Sequence, residues 1–108
     1  LKYRENRDDG TGEAIARIAV ARNYLDIGRS DAALEEARKA HFQLSLVSAE
    51  APLAEADELL GRIHLHQRRL EDARRRLESA LSRYRQRQDS NAATFAIAKL
   101  VEILDGLD

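Results

Sequence analysis

Apolar residues recur at helical spacing along most of the chain, and no stretch alternates with the two-residue period of a strand. After Glu13 they fall at Ile15, Ile18, Val20, Ala21, Tyr24, Leu25 and Ile27. Gly28 follows, a residue that closes a helix in the left-handed conformation without a Cβ penalty. Ser30 or Asp31 can cap a second helix, which carries Ala33, Ala37, Ala40, His41, Leu44 and Val47 on one face. That helix is expected to fade near Ser48–Ala51, with Pro52 opening a third at its first position, since Pro disfavours helical geometry in its predecessor. The third helix runs to about Gln67 on Leu53, Leu60, Ile63, His64 and Leu65. A fourth spans about Glu71 to Arg87, with a stripe of Ala73, Leu77, Ala80, Leu81 and Tyr84. Asp89 and Ser90 offer caps for a fifth, on which Ile97, Leu100, Val101 and Leu104 are expected to share one face. The expected fold class is all-α.

Composition agrees with this pattern. Among 108 residues there are one Pro and five Gly, and Ala, Leu, Glu and Arg dominate. These residues lose the least entropy in a helix. With no Met or Trp, the core must come from Leu, Ile, Val and Ala, and the Ala let helices approach closely. The absence of Cys excludes a disulfide framework and any thiolate metal site. No apolar run approaches the ~18 residues of a membrane span. The net charge is −1, so bulk charge argues for neither nucleic-acid nor membrane binding. A soluble, cytoplasmic protein is the expectation.

A shift of 40 residues lays the pattern on itself. Val20 falls on Leu60 and Leu100, Ala21 on Gly61 and Val101, and Tyr24 on His64 and Leu104. In the second helix of each unit Ala33 falls on Ala73, Ala37 on Leu77 and Ala40 on Ala80. Each unit therefore reads as two antiparallel helices joined by a short turn.

With Val20, Ala21, Tyr24, Gly28, Ala33, Ala37 and Ala40 in one unit, and Leu60, Gly61, His64, Arg68, Ala73, Leu77 and Ala80 in the next, the chain resembles the tetratricopeptide repeat (TPR) family. His64 stands where the family has an aromatic, Arg68 where it has a turn Gly, and the usual Pro at the end of the second helix is missing. The spacing of about 40 exceeds the family's 34 and looks like the long repeats of bacterial signalling proteins. The resemblance implies an α-solenoid of two TPR-like hairpins plus an additional C-terminal helix. Residues 9–50 would form repeat one, 51–88 repeat two, and 89–108 the first helix of a third repeat or a capping helix. Tyr3, Arg4 and Asp8 are spaced like Tyr84, Arg85 and Asp89, so residues 1–8 read as the tail of a preceding helix or a linker.

In stacked repeats of this kind the first helices line a concave surface. The resemblance puts Ile15, Ile18, Arg22, Leu25 and Asp26 there in repeat one, and Glu55, Glu58, Arg62, Leu65 and His66 in repeat two. Phe95, Ala98 and Glu102 are the counterparts in the last helix. The candidate partner-binding residues are Arg22, Leu25, Asp26, Glu58, Arg62, Leu65 and His66. Arg22 and Arg62 share a repeat position and could form a basic ladder that holds a carboxylate beside apolar pockets. The bland alternative is that both are solvated and pair with Glu58 or Asp26. The Lys and Asn set that clamps a terminal carboxylate in some members is not present.

Helix four is rich in Arg, with Arg74, Arg75 and Arg76 consecutive, but Glu71, Asp72 and Glu78 sit three and four residues away. A solvated face with pairs such as Glu71 and Arg75 is favoured over a nucleic-acid patch. His64 and His66 lie two apart on a helix and hence on different faces, so neither they nor His41 suggest a metal. Gly10 and Gly12 around Thr11 read as a loop and cap. No phosphate-cradling loop, nucleophile elbow or metalloprotease motif occurs, and no cofactor or metal is expected. The functional expectation is a non-catalytic interaction or regulatory module for a protein or peptide partner, binding neither nucleic acid nor membrane. The alternative is a structural spacer or dimerisation segment within a larger TPR array attached to a signalling output domain, self-associating through its terminal helices.

Overall fold

The structure, a computed structural model, describes residues 10–107. The tail expected over residues 1–8, with Tyr3, Arg4 and Asp8, lies outside them. Five helices follow in order: α1 (Thr11–Asp26), α2 (Ser30–Leu46), α3 (Glu50–His66), α4 (Leu70–Gln86) and α5 (Ser90–Leu107). The described residues contain no strand, and the fold is all-α.

The helices repeat on a finer period than the 40-residue one. Starts at 30, 50, 70 and 90, and ends at 26, 46, 66 and 86, put successive helices 20 residues apart. All four connections are three-residue turns of one design. Their middle residues, Gly28, Ser48, Arg68 and Gln88, all have positive φ, at 83°, 53°, 63° and 58°. In each, that residue's N–H and the next one's fold back on the helix end. The Gly28 N–H donates to the Leu25 carbonyl at 3.0 Å and the Arg29 N–H to the Tyr24 carbonyl at 2.8 Å. The corresponding pair at the next hairpin is Arg68 to Leu65 at 3.0 Å and Arg69 to His64 at 2.8 Å. Such a turn leaves only an antiparallel neighbour within reach.

Local starts differ from expectation in two places. Pro52 is the third residue of α3, not the first, and the helix opens at Glu50. Its missing N–H costs nothing there, because the first intrahelical bond runs from the Leu53 N–H to the Ala49 carbonyl at 2.9 Å. Ser30 and Asp31 do not cap α2. Both instead accept from the Gln67 side-chain amide, at 3.2 and 3.0 Å, tying the start of α2 to the end of α3. Asp89 does cap α5, accepting the Ala92 N–H at 3.2 Å.

Each helix packs against the next in sequence, and α3 also meets α1 and α5, while the backbones of α2 and α4 stay apart. The result is an α1–α3–α5 layer backed by α2 and α4, 55 × 32 × 19 Å overall. Ala21, Ala33, Ala37, Ala40, Ala73 and Ala80 are fully buried, which lets paired helices cross closely. Leu44, Leu59, Leu60, Ile63 and Leu77 fill the space between them. Helix α5 departs from the expected single face. Its buried line is Ala93, Ala96, half-buried Leu100 and Ile103, while Ile97, Val101 and Leu104 point to solvent.

Candidate functional site

The surface of the α1–α3–α5 layer carries a hollow of about 210 Å³ lined by Leu25, Arg62, Leu65, His66 and Lys99. Leu25 and Leu65 come from the last turns of α1 and α3 at equivalent repeat positions. Arg62 lies three and four residues before Leu65 and His66, which puts the three on one helical face. Among the described residues Arg62 makes no ion pair, although it is half-buried. Lys99 enters from α5, with its ammonium 5.6 Å over the Phe95 ring and 3.5 Å from Glu102.

Four of the seven residues singled out from the sequence thus meet in one place. Arg22 and Asp26 are exposed and do not line the hollow, where the second cation beside Arg62 is Lys99. Lys99 was missed because its repeat equivalent, Leu59, is a core residue at 1% exposure. Glu58 is engaged elsewhere, accepting a hydrogen bond from the Tyr84 hydroxyl. Burial and then that carboxylate push the Tyr84 hydroxyl far above its ordinary pKa. Ile18, anticipated at the groove, is instead core at 2% exposure, whereas Ile15 is exposed.

A second polar cluster went unrecognised in the sequence. Asp57 of α3, 1% exposed, accepts hydrogen bonds from Arg76 Nη1 at 3.2 Å, Ser79 Oγ at 3.0 Å and Arg83 Nε at 3.2 Å, all on α4. His41 Nε2 of α2 lies 3.0 Å from the same carboxylate, and Arg83 also pairs with Glu50. Burial alone would raise the Asp57 pKa, but His41, Ser79 and Arg76 together hold it below the usual carboxylate range. The carboxylate thereby ties α2 and α4 to the helix between them. It also corrects the reading of α4, since Arg76 and Arg83 turn inward. Only its outer flank carries solvated pairs, with Arg74 to Glu71 at 2.8 Å and to Glu78 at 3.4 Å, and Arg75 to Asp72.

The signal for Asp57 was present in the 40-residue register. Position 17 corresponds to 57, and 36 to 76. Arg17 pairs with Glu36 at 2.9 Å in the first hairpin, and Asp57 with Arg76 at 3.2 Å in the second. The two hairpins carry the same bridge with its charges exchanged.

His64 and His66 do lie on different faces, the first buried at 6% exposure and the second exposed at the hollow. Burial lowers the His64 pKa, and its Nδ1 has no hydrogen-bond partner in the described residues. No group of three or more His, Asp or Glu among the described residues could hold a metal ion.

Comparison of the chain with protein-family models, curated proteins and solved structures finds no match. A second hollow, of about 280 Å³, lies at the α4–α5 turn beside Tyr84, Asp89 and Ser90, but Asp89 is already engaged as the helix cap. No described helix is long and apolar enough to cross a membrane.

Proposed function

We propose that this chain is a non-catalytic, TPR-like interaction module, an α-solenoid of two hairpins and a further helix that holds a partner protein or peptide on the α1–α3–α5 surface. The observation that supports this reading is the unpaired, half-buried Arg62 beside Lys99 in a hollow whose other walls are Leu25, Leu65 and His66. A half-buried guanidinium without a carboxylate forgoes hydration and gains no ion pair in return. No carboxylate lines the hollow. A partner segment with an acidic side chain next to an apolar one would pair with Arg62 while covering the two leucines.

The test is capture from host lysate with the native chain and with an Arg62→Glu/Lys99→Glu variant, both verified for equal helicity by circular dichroism. A partner held by the native chain and lost by the folded variant, with capture weakening as salt rises, is the expected result. Equal capture by both baits would remove the hollow from the reading.

A further inference from the structure

The hollow is one end of a longer stripe on α3. Glu55, Glu58, Arg62 and Leu65 succeed one another at three- and four-residue spacing, and none of them is fully buried. The stripe is acidic in its first half, basic and apolar in its second. Glu58 and Arg62 stand four residues apart, the spacing of a helix ion pair, yet the Glu58 carboxylate accepts from the Tyr84 hydroxyl of α4 instead. Among the described residues Glu55, Glu58 and Arg62 make no ion pair. The stripe therefore holds an unpaired carboxylate at Glu55 and an unpaired guanidinium at Arg62, about 10 Å apart along the helix axis.

The acidic end has its own apolar frame. In the 40-residue register the equivalents of Glu55 are Ile15 of α1 and Phe95 of α5. Both are exposed, at 47% and 39%, and the helices that carry them flank α3. Leu25 and Leu65, another equivalent pair, line one hollow, so like positions of α1 and α3 look out on the same surface. Lys99 lines that hollow too and lies over the Phe95 ring, which places Phe95 on this surface one turn before it. A carboxylate flanked by exposed apolar side chains suits a lysine or arginine, whose aliphatic stem covers the apolar groups while its head reaches Glu55. We propose that the partner segment is bipolar, with a basic residue at Glu55, flanked by Ile15 and Phe95, and an acidic residue at Arg62. This rests on the reading of the α1–α3–α5 surface as a partner-binding face and names the charge pattern of that partner. An extended segment advances about 3.3 Å per residue, which sets its two charges about three residues apart. A segment acidic at both places is rejected, since its second carboxylate would face Glu55 and Glu58.

The test is selection of a phage-displayed library of random twelve-residue peptides on the native chain, on Arg62→Glu and on Glu55→Lys, all of equal helicity. Peptides enriched on the native chain are expected to carry a basic and an acidic residue about three positions apart. On Glu55→Lys the enriched peptides should keep the acid and replace the base with a second acid, and on Arg62→Glu they should keep the base and lose the acid. For one enriched peptide made synthetically, fluorescence anisotropy is expected to show binding weakened at least about tenfold by Glu55→Lys, and recovered when the peptide's basic residue is changed to glutamate. Enrichment of peptides bearing acids alone, the same on the native chain and on Glu55→Lys, overturns the bipolar pattern and leaves the hollow standing. No enrichment, or enrichment indifferent to Arg62→Glu, overturns the pattern and the partner-binding reading together.

Discussion

A Cβ on Gly61 would lie 2.6 Å from Leu77 Cγ, so the missing side chain on α3 and the leucine on α4 form one packing unit. At the equivalent positions of the first hairpin stand Ala21 and Ala37, both fully buried. Side-chain volume has moved across the helix pair without changing how the helices cross. Two alanines in one hairpin and a glycine–leucine pair in the other solve the same problem of close approach.

The cost of Gly61→Ala follows from that pairing. Alanine gains about 1 kcal/mol of helix propensity, yet overpacking against Leu77 costs about 1–3 kcal/mol, so net destabilisation is expected. Leu77→Ala alone opens a cavity worth about 2–5 kcal/mol. The double variant recreates the Ala21–Ala37 arrangement and is expected to lose less than the sum of the two single changes. Urea unfolding of all four proteins measures the coupling, and simple additivity would contradict it.

The exchanged bridges make a second prediction. Glu36→Arg sets a second cation against Arg17 and is expected to lower the melting temperature. Adding Arg17→Asp restores a bridge, now with the polarity of Asp57 and Arg76, and is expected to recover most of the loss. Thermal melts monitored by circular dichroism distinguish this from a mere dislike of charge at position 36, for which Arg17→Asp would give no rescue.

Asp57 is the costliest polar side chain to alter. Asp57→Asn leaves Arg76 and Arg83 facing a neutral group, for an expected loss of about 3 kcal/mol, the low end for a buried pair because both arginines keep some access to water. The folded state holds this carboxyl below its ordinary pKa, so its contribution is complete above the unfolded value and disappears as pH falls through the folded one. Urea midpoints measured from neutral pH downward should show the native chain and Asp57→Asn converging in strong acid. A constant gap across that range would assign the loss to shape, not charge.

Much of this arrangement was legible in the chain. The three- and four-residue spacing of Ala33, Ala37 and Ala40, repeated at Ala73, Leu77 and Ala80, is enough to place two hairpins, and all six side chains are fully buried. The 20-residue helix period was hidden because only Gly28 shows the usual glycine at the turn, while Ser48, Arg68 and Gln88 adopt the same backbone without one. The two faces of α5 merged for a similar reason. Ile97 and Ile103 look alike in sequence, but the second is buried in a cluster with Ala73 and Leu77 of α4. Of the residues that line the hollow, Leu25, Arg62, Leu65 and His66 were named from the family resemblance, and Lys99 was not. Asp57 escaped because an acidic residue on a charged helix reads as solvated until the facing helix supplies its cations.

Buried His64 gives a pH dependence in a different range. Burial holds its pKa below 6.5, so the folded state favours the neutral ring and protonation favours unfolding. Its contribution to stability is complete above that unfolded value and falls as pH drops through the folded one. Leu44 occupies the equivalent place one helix earlier, 20 residues back, fully buried. His64→Leu is accordingly expected to keep the fold and to flatten the decline in melting temperature just below pH 6.5. An unchanged decline would assign it to other groups.

The turn residues supply the last prediction. A side chain in the left-handed region costs roughly 1–2 kcal/mol, part of which glycine gives back through its greater unfolded-state entropy. Arg68 is exposed, with φ at 63°, and no hydrogen bond or ion pair holds its side chain in the described structure. Arg68→Gly is therefore expected to stabilise the protein by about 1 kcal/mol and Gln88→Gly by a similar amount, whereas Gly28→Ala should cost about 1 kcal/mol. Because the four turns share one geometry, the effects at Arg68 and Gln88 should add. Chemical denaturation of the single and double variants tests this, and destabilisation by Arg68→Gly would mean that the arginine side chain, not the backbone, maintains the turn between the two helices of the second hairpin.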